Sequence, residues 1–135
     1  FLSSVFIIML HLADGTCIHI SDPINTGIQL INKGFYFEAH EVLEQFWRSD
    51  HSRYRNLYQG LIQVSVCLFH LQRGNHQGAI KLSQKAFSNL LPYLDENLPV
   101  DVNMLVSDLK KIEQKAPEIS KDPKSFNPVT ILQKL

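Results

Sequence analysis

The sequence has no excess of charge, because its 13 Lys and Arg residues are balanced by 13 Asp and Glu residues. Proteins that bind nucleic acid or an anionic membrane surface usually present a clear surplus of basic side chains. We therefore expect neither nucleic acid nor a membrane as a partner. With 135 residues, the chain is long enough to form a single domain around its own hydrophobic core.

Cysteine is also scarce, since the chain contains only Cys17 and Cys67. Two cysteines do not provide a framework of disulfide bridges. Cys67 lies among apolar residues in the middle of a predicted helix, where a free thiol behaves as a small hydrophobic group. This usage favours a reducing compartment. We expect a cytoplasmic protein, or one of the plastid stroma if the chain comes from a plant.

A run of apolar residues long enough to cross a bilayer is missing. The run FLSSVFIIMLHL, at the start of the chain, has about twelve residues and is too short. We interpret residues 1–21 as an N-terminal arm, strand-like or helical, that packs on the domain or is poorly ordered. A signal-peptide core is the alternative, although no basic residue precedes the run and no clear cleavage site follows it.

The common catalytic motifs do not occur either. The sequence has no glycine-rich phosphate loop, no Cys-x-x-Cys pair and no nucleophile-elbow motif. Nucleotide, redox and hydrolase chemistries of the usual kinds therefore lack support, and the sequence favours a domain without catalysis.

The spacing of the apolar residues predicts an all-α fold. Four to five helices are expected between residues 22 and 116, packed as a compact array of antiparallel hairpins. The last of these helices is predicted at residues 100–116. Residues 117–135 contain three prolines and no helical period, so we interpret them as a C-terminal tail that docks on the domain.

Local signals place the ends of these helices. Asp22 and the proline after it mark the start of the first helix, and Gly34 marks its end. Asp50 or Ser52 is the expected cap of the third helix, and Asn75 is the expected cap of the fourth.

The sequence also repeats weakly at an offset of forty residues. Asn-Lys-Gly at 32–34 corresponds to Gln-Arg-Gly at 72–74, and each glycine is followed five residues later by alanine, at Ala39 and Ala79. A repeat of this period predicts stacked helical hairpins of the tetratricopeptide type.

Two neighbouring helices carry polar residues where simple core helices would be apolar. His40 and Glu44 lie side by side on one predicted helix, and Gln63 and His70 share one side of the next, largely apolar helix. Burying such groups without partners costs about 1–3 kcal/mol each. We therefore predict that the two helices bury one polar cluster between them. Its predicted members are His40, Glu44, Gln63 and His70, with Gln59, Glu41 and Arg73 close by.

Three interpretations of this cluster remain open. The first is a hydrogen-bonded network that fixes the register of the helices. The second is a divalent metal site, in which His40, Glu44 and His70 supply three ligands and Glu41 acts as a base. The third is a pocket for a small ligand near Gly60, a helical glycine for which close helix packing is the simpler explanation.

Four arginines, at positions 48, 53, 55 and 73, are expected near the ends of the predicted hairpin. Ion pairs with neighbouring glutamates are the simpler interpretation, and binding of a phosphate or carboxylate group is the alternative.

Three motifs in this region are specific. They are FEAHE-x-LE-x-x-W at residues 37–47, GLIQ with a later histidine at residues 60–70, and GN-x-x-GA at residues 74–79. Together they resemble the family catalogued as domain of unknown function 309, and the likeness extends over residues 24–95. The resemblance implies an all-α fold with no established activity.

These observations favour an uncharacterised helical domain that acts as a non-catalytic protein-interaction or scaffold module. Its expected partner is another protein, and no cofactor is required. The alternative is a metal-dependent hydrolase that uses His40, Glu44 and His70.

Overall fold

The computed structural model describes residues 9–11, 17–19 and 22–122; for 9–11, 17–19 and Ser120 it describes the backbone alone. Most of the predicted N-terminal arm and most of the predicted C-terminal tail, residues 123–135, lie outside the described residues. The predicted boundaries of these two segments therefore stay predictions.

The described chain is all-α, as predicted, apart from one short strand pair. The strands β1 (Met9–His11) and β2 (Cys17–His19) are antiparallel, with Leu10 opposite Ile18. Five helices follow and pack in antiparallel contacts. They are α1 (Pro23–Asn32), α2 (Tyr36–Ser49), α3 (Arg55–Gln72), α4 (His76–Leu90) and α5 (Val102–Lys121), with a 3₁₀ turn at Leu91–Tyr93 between the last two.

Three of the five helices begin at a side-chain cap. Asp22 accepts a hydrogen bond from the Asn25 backbone N–H at 3.3 Å, and Asn75 accepts one from Gly78 at 3.1 Å. Asp101 caps α5 in the same way. These short polar side chains replace carbonyl partners that the first turn of a helix lacks. The caps predicted for α1 and α4 are confirmed.

The repeat at an offset of forty residues is visible in the backbone. Gly34 and Gly74 have φ angles of 85° and 78°, in the left-handed region that favours glycine. In both turns, the residue after the glycine donates its N–H to the carbonyl five residues earlier, at 2.9 and 2.8 Å. Ala39 and Ala79, which follow in the next helices, are fully buried. The pairs α1–α2 and α3–α4 are therefore helical hairpins joined by equivalent turns.

Helix α3 lies at the centre of the core. It packs against α2 on one side and α4 on the other, and α4 also packs against α5. Burial of its leucines supplies much of the hydrophobic stabilisation, at roughly 25 cal/mol for each Å² of apolar surface removed from water. The fully buried leucines of α3 are Leu57, Leu61, Leu68 and Leu71.

Gly60 is explained by the close approach of α3 and α4. A Cβ atom at this position would lie 2.7 Å from Cδ2 of Leu90, a side chain that is itself fully buried. The interpretation of Gly60 as a helix-packing residue, rather than as part of a ligand pocket, is confirmed.

Two predicted helix boundaries are wrong. Among the described residues no side chain caps α3, which begins at Arg55. Asp50 and Ser52 instead build the preceding turn, in which the Ser52 hydroxyl donates to Asp50 at 3.0 Å and accepts from the Tyr54 N–H at 3.1 Å. The turn satisfies these groups locally, so the helix starts later than the sequence suggested.

The last helix also ends later than predicted. α5 continues through Pro117 to Lys121 instead of ending at residue 116. Proline removes one N–H donor from the helix, but Ala116 is fully buried and Ile119 packs against the core, so the apolar face of α5 continues past the proline. None of the helices in the described part of the chain is both long and apolar enough to cross a membrane.

Candidate functional site

A pocket opens where the beginning of α2 meets the end of α3. The antiparallel arrangement of α2 and α3 brings these two ends together. The pocket has a volume of about 210 Å³ and mostly apolar walls. We call it the aromatic–imidazole pocket, and its lining residues are Tyr36, Phe37, His40, Val66, Phe69 and His70.

Rings form a continuous wall around this pocket. The Phe37 ring lies 5.8 Å from the His40 ring and 6.2 Å from the Phe69 ring, measured between centroids. The Phe69 and His70 rings are 6.4 Å apart, and the Arg73 guanidinium lies 5.1 Å from the Phe69 centroid. Tilted ring pairs at these distances attract one another weakly. Phe37 is nonetheless 51% exposed, which is unusual for a large apolar side chain.

Two polar atoms of the pocket residues are buried without a hydrogen bond. The Tyr36 hydroxyl and His40 Nδ1 have no partner within the described ranges, and Tyr36 is only 2% exposed. Burial raises the pKa of the Tyr36 hydroxyl above its usual value. A buried polar group that lacks a partner costs about 1–3 kcal/mol. The pocket therefore has unused hydrogen-bonding capacity.

The other nitrogen of His40 faces a carboxylate. Nε2 lies 3.6 Å from Oε2 of Glu44, whose second oxygen accepts a hydrogen bond from Arg48 at 2.9 Å. A carboxylate beside Nε2 favours the tautomer with the proton on that nitrogen. In the neutral imidazole, Nδ1 then becomes a hydrogen-bond acceptor.

The predicted buried polar cluster is wrong. Gln63 turns away from α2 and accepts a hydrogen bond from Asn89 of α4 at 2.7 Å. His70 Nδ1 lies 3.2 Å from the Asn75 amide nitrogen. The side chains of His40 and Glu44 are 26% and 33% exposed, so neither is removed from water.

The error has a simple physical reason. Gln59, Gln63 and His70 do share one edge of α3, but all three are only half-buried. A partly solvated edge does not require every polar group to find a protein partner. Of the remaining predicted residues, Glu41 is exposed on α2 and Arg73 lies against the Phe69 ring.

The proposed metal ligands are not assembled into a ligand group. Among the described residues, no three His, Cys, Asp or Glu side chains are arranged to hold a metal ion. His40 and Glu44 are adjacent, and His70 lies with His40 at the pocket, but Glu44 is not one of the pocket residues. A zinc site would need three or four ligands around one point.

The arginines mostly bind groups of the protein itself. Arg48 pairs with Glu44 at 2.9 Å and Arg53 with Glu96 at 2.7 Å, which confirms the interpretation as ion pairs for these two. Arg55 donates to the carbonyl oxygens of Trp47 and Asp50, both at 2.7 Å. The two ion pairs, Arg48–Glu44 and Arg53–Glu96, are largely exposed, and such pairs contribute little to stability.

Sequence reasoning found both histidines of the pocket but missed most of its wall. The sequence did not single out the aromatic residues as pocket residues, because aromatic side chains at helical spacing usually belong to the core. The signal that was available is local: Tyr36 and Phe37 precede His40 by four and three residues, and Val66 precedes His70 by four. On a helix, such residues lie on the same side.

Comparison with known proteins agrees with the motifs. Residues 24–82 match the family described as Domain of unknown function (DUF309). This segment is a DUF309 domain. It contains α1, α2, α3 and the first half of α4, and so includes every residue of the aromatic–imidazole pocket.

One curated protein is similar to part of this chain. The chain is similar to the uncharacterized protein YpuF of Bacillus subtilis (strain 168), with 46% identity over 48 residues. The alignment covers 35% of this chain and 28% of YpuF, so the chain spans less than a third of the relative's length. No solved structure matches the chain.

Proposed function

We propose that this domain is a non-catalytic recognition module that binds a protein partner in the aromatic–imidazole pocket. The observation that supports this function is the exposure of Phe37. Its aromatic side chain is half exposed at a pocket with mostly apolar walls. Exposed aromatic side chains beside a pocket are typical of the anchor positions of protein interfaces.

The size of the pocket favours a single side chain as the bound group. Pockets for whole small molecules usually measure roughly 300–1,000 Å³, whereas this one measures about 210 Å³. A cavity of roughly 150 Å³ accommodates benzene. One aromatic side chain of a partner protein therefore fits, and its main chain would remain outside.

The charge of the chain supports a protein rather than a nucleic acid or a membrane as the partner. The net charge is zero, and such a chain has little long-range attraction for polyanions. The buried free thiol of Cys67 suits a reducing compartment, such as the cytoplasm or a plastid stroma.

The alternative function, a metal-dependent hydrolase, has less support from the geometry. His40, Glu44 and His70 do not form a three-ligand group in the described part of the chain. Glu41, the base of that enzyme, is exposed on α2. The described residues offer no group of three metal ligands with which it could act.

Selection of peptides from a displayed random library tests the recognition function. We expect the selected peptides to share one aromatic residue and to shift the imidazole NMR signals of His40 and His70 on titration. Phe37→Ser is expected to weaken binding about tenfold or more, since truncating an interface anchor typically removes at least 1–2 kcal/mol.

Leu91→Ser is the matched control, because Leu91 is 41% exposed and lies outside the pocket. It is expected to leave peptide binding unchanged. Peptides that shift signals elsewhere in the protein, and whose affinity is the same for Phe37→Ser and the unaltered chain, would refute the proposed function.

A further inference from the structure

We propose that the aromatic–imidazole pocket selects an aromatic ring that carries a hydrogen-bond donor, the indole of Trp or the phenol of Tyr, over a ring without one. This inference rests on the proposed function in one respect: the ring is taken to belong to a protein partner. The preference for a donor rests on His40 and Tyr36 alone.

The direction of hydrogen bonding at His40 favours a donor. Glu44 lies beside Nε2 and leaves Nδ1 as the acceptor of the neutral ring. In that tautomer of the neutral ring, a group that binds against Nδ1 must donate. An indole N–H or a phenol O–H does so, whereas the benzyl ring of Phe offers nothing to this nitrogen.

The Tyr36 hydroxyl is the second polar group that a bound ring can meet. It belongs to the same pocket, one helical turn before His40 on α2. A hydroxyl both donates and accepts, so it pairs with either orientation of a polar ring. Two buried polar atoms of residues that line one mostly apolar pocket can orient a ligand by a few fixed contacts once they are reached.

A bound ring must also gain access to these two atoms. Both polar atoms are covered by neighbouring side chains, so a bound ring reaches them only when part of the wall moves. Phe37 is the most exposed residue of the wall, at 51%, so we assign the movement to its side chain. The displaced ring can then pack against the bound ring, as Phe37 and Phe69 pack at 6.2 Å.

Titration of the full chain with indole and with indene tests the preference. The two molecules have nearly the same shape, and only indole has an N–H group. We expect indole to bind three- to tenfold more tightly, the effect of about one hydrogen bond. The imidazole signal of His40 should shift with indole more than with indene.

Tyr36→Phe is the sharpest variant, because it removes only the hydroxyl. It is expected to lower the affinity for indole at least twofold without lowering the melting temperature, since that hydroxyl is unpaired among the described residues. Tyr58→Phe is the matched control, as Tyr58 is half-buried on α3 outside the pocket, and it should leave indole binding unchanged.

The failures of the two proposals are distinguishable. Equal affinities for indole and indene, no binding of either, or indole binding insensitive to Tyr36→Phe would overturn the donor preference. A selected peptide that binds the pocket equally well after Trp→Phe exchange would also overturn it, while the recognition function stands. Peptides that bind elsewhere, while indole binds the pocket, would overturn the recognition function alone.

Discussion

Burial of a polar atom has two different outcomes in the core of this domain. The Cys67 thiol, fully buried on α3, donates a weak hydrogen bond to the Ala79 carbonyl oxygen at 3.3 Å. Burial raises its pKa from an ordinary value of 9.0 to about 12. The Tyr36 hydroxyl is also buried but has no partner within the described residues. The thiol is a structural group with a partner, whereas the hydroxyl keeps unused hydrogen-bonding capacity.

Cys67 is therefore expected to resist alkylation in the folded protein. In a Cys17→Ser chain at pH 8, iodoacetamide should modify Cys67 on the order of a hundredfold more slowly than in denaturant, because the thiolate is disfavoured and covered. Mass spectrometry measures both rates. Similar rates in the two conditions would show that α3 opens readily or that the thiol is not buried.

The same pKa shift makes stability depend on pH in the alkaline range. The folded-state pKa of about 12 lies above the ordinary value of 9.0. The unfolded chain therefore loses this proton first as the pH rises. The contribution of the neutral thiol to stability is intact below pH 9.0 and is progressively lost between pH 9.0 and about 12.

At the scale of single elements, the hairpins were the most predictable part of the fold. Asp22, Gly34 and Asn75 act within a few residues of their own positions, so sequence alone determines their effect. The edge of α3 that carries Gln63 was not predictable in the same way. Whether that edge meets α2, α4 or water depends on how three helices cross, which no local pattern contains.

Gly60 provides a direct test of the contact between α3 and α4. Gly60→Ala adds a methyl group 2.7 Å from Leu90 Cδ2, and overpacking of this kind costs about 1–3 kcal/mol. Alanine recovers up to about 1 kcal/mol of helix propensity. We expect a net loss of up to about 2 kcal/mol in the free energy of unfolding, measured by chemical denaturation.

The double variant Gly60→Ala/Leu90→Ala is the control for this packing effect. Leu90→Ala removes the atoms that the new methyl group would meet, so adding Gly60→Ala in that background should cost nothing or stabilise the helix. An equal penalty in both backgrounds would assign the cost to something other than the α3–α4 contact.

At the scale of the whole molecule, the hydrophobic core is larger than the DUF309 domain. The family match ends at residue 82, within α4, but α5 contributes Val102, Leu105, Leu109 and Ala116 to the same core. The family motifs report on the two hairpins and give no information about α5. Its apolar spacing predicted the helix, although not its continuation past Pro117.

Because the core is continuous, we expect the described helices to unfold as one cooperative unit. Leu109 is 1% exposed on α5, and Leu109→Ala should lower the free energy of unfolding by about 2–5 kcal/mol. Trp47, the single tryptophan, lies on α2 and reports on the other side of the molecule. In Leu109→Ala, the midpoint of unfolding followed by Trp47 fluorescence should shift by the same amount as the midpoint followed by helical circular dichroism.

Lys111→Ala is the control, at an exposed position of α5, and it should change the free energy of unfolding by less than about 0.5 kcal/mol. If the midpoint of the tryptophan transition did not change while part of the helical signal was lost earlier, α5 would be a separate unit. The helices that line the pocket, α2 and α3, would then fold without it.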